Sequence, residues 1–242
     1  MSEEIPGLVE KSSATHGSNA ACRCGCIPEG MISLFQMAEL RNRNKKIIQN
    51  FQLLLDQCTE SDPDHGTIVN LCGKGLNQFP IGPLVTLSNT LIVLHLDHNQ
   101  LTELPKGLLR SCPLIEDLAL HNNCLLSLDE DIGCCNRLEH LRLDNNQLKQ
   151  LPIQLGECVS LISLHLNGNP LISLPDFFHR LQRLHHILME NVPLVTCIPP
   201  SIVHCELLEF ITFQSDVIID PPGFVVSKGG ESIRDYFKAK ER

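Results

Sequence analysis

The feature of this sequence that most restricts its fold is a segment that recurs every 23 or 24 residues. Four copies align on their leucines. They read LIVLHLDHNQLTELP from Leu91, IEDLALHNNCLLSLD from Ile115, LEHLRLDNNQLKQLP from Leu138 and LISLHLNGNPLISLP from Leu161. Within each copy the central leucines are two, five and three residues apart, a spacing that fits neither a helix nor a continuous strand. Such a period indicates a solenoid, in which each repeat buries its apolar side chains against its neighbours.

Three weaker copies flank these four, at residues 67–80, 184–199 and 208–222. Each of them departs from the pattern. Lys74 replaces the asparagine of the turn in the first, and Asp216 replaces it in the last. Since the terminal repeats of a solenoid must cover an open core and are therefore atypical, we predict about seven repeats in all.

The four strong copies resemble the leucine-rich repeat, L-x-x-L-x-L-x-x-N-x-L-x-x-L-P, in its short intracellular form. The resemblance implies an α/β fold: a leucine-rich repeat solenoid shaped as a curved horseshoe, with a parallel β-sheet on its concave face and helical caps at both ends. Proteins with this pattern include Ras-pathway scaffolds, polarity scaffolds and regulators of phosphatases. The turn asparagines are expected to form a structural ladder of buried amides, namely Asn99, Asn123, Asn146 and Asn169.

The chain is expected to divide into four parts. Residues 1–28 are small, polar and acidic, which predicts a disordered tail that contains cysteines. Residues 29–65 are expected to form an N-terminal helical cap and a linker, in which residues 59–66 make a polar turn. The repeats then occupy residues 66–222. Residues 223–242 are expected to form a C-terminal cap helix, because they resemble the segment that ends many leucine-rich repeat proteins.

The N-terminal helix is predicted over residues 31–58 because apolar side chains recur there at helical spacing. These side chains are Met37, Leu40, Ile47, Phe51, Leu54 and Cys58. One interpretation is a cap that covers the first repeat. The other is an amphipathic helix that docks on a partner or pairs as a short coiled coil.

Function is expected on the concave face, because the strand residues that flank the inward leucines project from it. This face is rich in histidine and acid, and apolar residues gather at its two ends. The residues predicted to contact a partner protein are His95, Asp97, Asp117, His121, His140, Arg142, Asp144, His165, Asn167, His186 and Glu190.

The composition of this face predicts a partner with a mixed or basic surface. Arg142 is the strong cation at its centre and is expected to anchor the partner through a carboxylate. The neighbouring acids are expected to raise the pKa of the histidines, and binding is expected to weaken as they become protonated. A histidine and an acid such as His165 and Asp144 could also hold a metal, but no spacing in the sequence requires one.

Charge and motifs exclude other classes of function. The formal net charge of −9 argues against nucleic acid and against an anionic membrane surface. No catalytic motif occurs, so we expect no enzyme and no cofactor. The acidic N-terminus lacks the apolar core of a secretory signal, and no apolar run is long enough to span a bilayer. The prediction is therefore a monomeric, non-catalytic cytoplasmic adaptor, scaffold or regulatory subunit in signalling.

The chain contains 12 cysteines, and seven of them form two groups. Cys22, Cys24 and Cys26 alternate in the N-terminal tail, and they support an alternative function in metal binding or redox sensing. The other group recurs with the repeat, just before each strand, where a small apolar side chain is needed. Its members, predicted to be buried core thiols, are Cys112, Cys135, Cys158 and Cys205.

Overall fold

The computed structural model describes residues 34–62, 66–213 and 218–240, with side chains from residue 43 onward. The chain divides into two compact units, residues 1–43 and 44–242. In the first unit the described residues are helical, as the start of α1 (Leu34–Gln57). The strands and all other helices lie in the second unit. None of the helices among the described residues combines the length and the apolar character needed to cross a membrane.

The second unit is built on an eight-stranded sheet whose strands follow one another in chain order. The strands are β1 (Thr59–Asp62), β2 (Gly66–Asn70), β3 (Leu91–His95), β4 (Asp117–Ala119), β5 (His140–Arg142), β6 (Ser163–His165), β7 (His186–Met189) and β8 (Phe210–Phe213). From β2 to β8 every neighbouring pair is parallel, with one strand per repeat. The predicted α/β leucine-rich repeat solenoid is therefore confirmed.

The register of the sheet follows directly from the leucine pattern. Leu118, Leu141 and Leu164 stand opposite one another on successive strands, and all three are buried. The second leucine of each pair, such as Leu143, is buried two residues further on. Since side chains alternate across a strand, a shift of one residue would expose the whole row, and burial therefore fixes the pairing.

The side of each repeat opposite the sheet, which we call the back, consists of single helical turns. Two are α-helical, α2 (Gly82–Val85) and α3 (Leu108–Ser111). The next four are 3₁₀ helices at Glu130–Cys134, Ile153–Glu157, Phe178–Arg180 and Pro200–His204. The prolines at 105, 152 and 175 lie before three of these helical turns, and they predict 3₁₀ or extended structure here. Nothing in the sequence pattern indicates the two α-helical turns.

At the N-terminal side, the structure departs from the sequence analysis at the predicted polar turn. Thr59–Asp62 forms β1 instead, which pairs antiparallel with β2. In the preceding helix, Phe51 and Leu55 are buried, and the ring of Phe51 stacks on Phe79 at 5.4 Å. The last turns of α1 thus cover the first repeat. Ile47, which the predicted apolar stripe included, is exposed.

At the C-terminal side, α4 (Gly223–Val226) and α5 (Gly230–Lys240) follow the last strand. Ile233 and Phe237 are one helical turn apart and are both buried. Arg234 donates to the carbonyl oxygens of Cys205 and Leu208, and so binds α5 to the last repeat. These contacts replace the neighbour that an eighth repeat would have supplied.

The four cysteines that recur with the repeat are buried, as predicted. Three of their thiols point at a backbone carbonyl of the preceding repeat: Cys135 at Leu109, Cys158 at Ile132 and Cys205 at Phe178. Burial raises the pKa of Cys112 to about 11 and that of both Cys158 and Cys205 to about 12. Burial raises the pKa of Cys135 as well.

Because the thiolate is the reactive form, these four cysteines are expected to be alkylated slowly in the native protein at neutral pH. Cys197 is exposed and serves as the internal reference for a fast rate. Timed iodoacetamide labelling followed by peptide mass spectrometry measures both rates in one sample. Equal rates for Cys158 and Cys197 would show that the repeat thiols are accessible.

Candidate binding face

The side of the sheet opposite the leucine core, which we call the sheet face, carries rows of side chains with one residue from each repeat. The first row is Ile68, Val93, Asp117, His140, Ser163, His186 and Phe210. The second row is Asn70, His95, Ala119, Arg142, His165, Leu188 and Thr212. The third row comes after the strands and contains Cys72, Asp97, His121, Asp144, Asn167 and Glu190. Strand pairing places six of the eleven predicted contact residues in the first two rows, and the other five follow the strands in the third row, where backbone hydrogen bonds connect successive repeats.

Behind the third row, buried asparagines connect the repeats. Asn146 accepts a hydrogen bond from the backbone N–H of Leu125 at 2.9 Å and donates to the carbonyl oxygens of Leu120 and Leu143 at 3.0 Å. The same pattern holds for the other members of the ladder, Asn99, Asn123 and Asn169. Each amide satisfies backbone groups of two repeats, which fixes the positions of the face residues beside it.

Arg142 was expected to bind a carboxylate of the partner, but it already pairs with a carboxylate of this chain. Its Nη2 donates to Asp117 Oδ2 on the neighbouring strand at 2.8 Å. Both side chains are partly exposed, so the pair contributes only about 0–1 kcal/mol to stability. Its main effect is on charge, because the central cation is already neutralised within the chain.

Three histidines of the sheet face stand beside carboxylates of the same face. His95 Nε2 lies 3.9 Å from Asp117, His121 Nε2 lies 3.6 Å from Asp97, and His165 Nδ1 lies 3.7 Å from Asp144. These separations exceed the length of a hydrogen bond. Each pair is an ion pair only when its imidazole is protonated. With neutral histidines the face is acidic.

For His165 the structure reverses the expected direction of the pKa shift. Burial lowers the pKa of His165 and outweighs Asp144, which raises it; Arg142, His140 and His186 lower it further. With a depressed pKa the folded chain favours the neutral imidazole. The unfolded chain therefore takes up this proton at a higher pH than the folded chain does.

We therefore expect His165 to reduce stability as the pH falls below about 6.5, the usual pKa of histidine. Thermal denaturation should show a smaller drop in Tm between pH 7.5 and pH 5.5 for His165→Gln than for the parent. His179→Gln, which changes an exposed histidine on the back, is the control and should follow the parent. An unchanged drop in His165→Gln would mean that burial of this imidazole has no such effect.

The end of the sheet face near β8 is aromatic. Phe210 is 59% exposed, and its ring stacks on His186 with centroids 5.5 Å apart. Beside it lies a cleft of about 470 Å³, whose lining includes Glu190, Glu209 and Phe213, together with Lys228. An exposed aromatic ring next to a cleft with two glutamates and one lysine is the part of the sheet face best suited to hold a partner side chain.

His98 is a residue that the sequence analysis did not assign to the face. It follows Asp97 at the turn after β3, and Asn122 Nδ2 lies 3.2 Å from its Nε2. The sequence signal that could have identified it is its position in the repeat, which holds glycine or asparagine in five of the other repeats. Cys22, Cys24 and Cys26 lie outside the described residues, as does Gln214, the next residue of the third row.

Comparison with known proteins agrees with this architecture. Residues 89–148 match the family model described as leucine rich repeat. Among solved structures, one match is a leucine-rich repeat protein of Leptospira interrogans, 18% identical, with a TM-score of 0.43. The match covers 60% of this chain and 53% of that one, so the chain spans about half of the length of this relative. The comparison with curated proteins found no match. The matched repeats and the parallel sheet together make the fold of this chain a leucine-rich repeat solenoid.

Proposed function

We propose that this chain is a non-catalytic interaction module of the cytoplasm, which binds a basic segment of a partner protein along the sheet face. Leucine-rich repeat domains generally mediate contacts between proteins, and that general property is the starting point of the proposal. The residues of the sheet face indicate which kind of partner segment this chain would bind.

The charges of the sheet face favour a basic partner. Asp97, Asp117, Asp144 and Glu190 lie on it, and its central cation, Arg142, is already paired with Asp117. A segment with lysine or arginine would meet negative charge along the third row. Such complementarity accelerates association and makes the affinity depend on salt.

The observation that carries the proposal is Phe210. A phenylalanine that is 59% exposed and stacked on His186 leaves apolar area in water that a partner could cover. The adjoining cleft has room for a large side chain. We therefore propose Phe210 and Glu190, at the β8 end of the sheet face, as the anchor in place of Arg142.

A random peptide library selected on the purified chain tests this proposal and does not require an identified partner. We expect enrichment of peptides that combine lysine or arginine with an aromatic or aliphatic residue. Phe210→Ser should weaken a selected peptide by about tenfold or more, since truncated aromatic anchors typically cost over about 1.4 kcal/mol. Glu190→Gln should weaken it less, and chiefly at low salt.

Two variants on the back provide matched controls. Leu207→Ser removes an exposed apolar side chain, as Phe210→Ser does, and Lys106→Ala removes an exposed charge. Both should bind the selected peptides like the parent. Arg142→Ala should bind at least as well, because it frees Asp117. Peptides that depend on Leu207 rather than on Phe210 would refute the proposed face.

A further inference from the structure

Two histidines and an aspartate converge where β3 and β4 end. One ligand atom from each of Asp97, His98 and His121 lies within 4.8 Å of the other two. The rings of His98 and His121 meet edge to face, with centroids 5.3 Å apart. Asp97 Oδ2 and His121 Nε2 are 3.6 Å apart. Tetrahedral zinc bonds of about 2.0–2.1 Å place ligand atoms roughly 3.3 Å from each other, so modest side-chain rotation would bring all three within reach of one ion.

His98 is the one histidine among the described residues whose backbone φ is positive. Its φ is 55°, in the left-handed region. Glycine and asparagine adopt this region most readily, and they occupy the matching position of five other repeats. Those residues, all with positive φ, are Gly73, Asn122, Asn145, Gly168 and Asn191. Among these described turns, the one after β3 is the one that carries an imidazole.

The carboxylate of Asp97 is largely buried beside His121. Asp97 is 7% exposed, and it accepts a hydrogen bond from the Cys72 thiol, which raises the pKa of that thiol. Nearby, His121 Nδ1 is buried without a hydrogen-bond partner. A buried carboxylate is costly unless a cation or several donors face it. A metal ion between Asp97 and the two imidazoles would supply that charge.

We propose that Asp97, His98 and His121 form a zinc-binding site at the β3–β4 edge of the sheet face. Two imidazole nitrogens and one carboxylate oxygen are ordinary zinc ligands, and a set of three leaves the fourth position open. Cys72 donates to Asp97, so it can orient this ligand from outside. The site does not depend on whether the sheet face binds a protein.

Zinc titration of the full chain tests the site directly. Cys22→Ser, Cys24→Ser and Cys26→Ser are combined as the parent for this experiment, because tail thiols could also bind zinc. Calorimetry with zinc chloride should show one ion bound per chain. His98→Asn should lower the affinity by about tenfold or more, as loss of groups around a metal typically does. Asparagine already occupies the matching turn at Asn122 and Asn145, so this variant should fold normally.

His165→Asn is the matched control, because His165 also lies on the sheet face beside a carboxylate, 3.7 Å from Asp144. Its zinc affinity should equal that of the parent. At one fixed concentration, zinc should also raise the Tm of the parent and of His165→Asn more than that of His98→Asn. The proposal is overturned if the serine parent binds no zinc, if His98→Asn binds as tightly as that parent, or if both histidine variants lose equally.

Discussion

Replacing Leu143 with aspartate is expected to unfold the repeat region. Leu143 is completely buried between two repeats, and its carbonyl oxygen accepts hydrogen bonds from Asn146 and Asn169. The change removes a leucine from the core, which alone costs about 2–5 kcal/mol. It also leaves a carboxylate without a partner in an apolar environment. The combined loss should exceed about 5 kcal/mol, which matches the whole stability of many domains.

Urea denaturation followed by circular dichroism measures this effect. Leu126→Asp introduces the same side chain at an exposed leucine and should change the midpoint only slightly. A midpoint for Leu143→Asp close to that of the parent would show that this leucine does not face the core.

The second large effect is expected at Asn146. Asn146→Ala leaves the backbone N–H of Leu125 without a partner in the interior of the chain, and it removes one of two side-chain donors from the carbonyl oxygens of Leu120 and Leu143. A buried polar group without a partner costs about 1–3 kcal/mol and each lost hydrogen bond about 0.5–1.5 kcal/mol, so the variant should lose roughly 2–4 kcal/mol. Because Leu120 and Leu125 belong to the preceding repeat, the loss weakens the interface between repeats as well as the turn.

Asn146→Asp separates the two functions of the amide. It keeps an oxygen that can accept from Leu125, but it sets a second oxygen against the carbonyls of Leu120 and Leu143. We therefore expect it to be at least as destabilised as Asn146→Ala at neutral pH. Asn136→Ala changes an exposed asparagine on the back and is the control. Urea midpoints that do not distinguish Asn146→Ala from Asn136→Ala would contradict the structural role of the ladder.

The sheet could be predicted from the sequence because burial of the leucines determines which side of each strand faces the core. Leucines two residues apart must share one side of a strand, so His140 and Arg142 must share the other. The pairing of Leu141 with Leu164 then determines which face residues are neighbours. The same reasoning could not find β1, because Thr59–Asp62 has no apolar pattern.

Contacts between face residues were less predictable than their rows. Arg142 reaches diagonally from the second row to Asp117 in the first, and such a choice depends on rotamers that no spacing records. The lowered pKa of His165 arises because burial outweighs its neighbouring carboxylate, and the extent of burial is known only once neighbouring side chains are placed. His98 could not be predicted from the three rows because it lies in a turn, where the repeat pattern indicates only a structural role.

Partners are expected to bind the sheet face and not the back. The chain has histidines on both sides, and their rates of chemical modification show which side a partner covers. His165 and His186 lie on the sheet face, whereas His179 and His204 are exposed on the back. Diethyl pyrocarbonate modification, quantified by mass spectrometry with and without a saturating selected peptide, compares them within one sample. The proposed function predicts several-fold slower modification of His165 and His186 in the complex, with His179 and His204 unchanged. Protection of His179 and His204 with continued modification of His165 and His186 would contradict it.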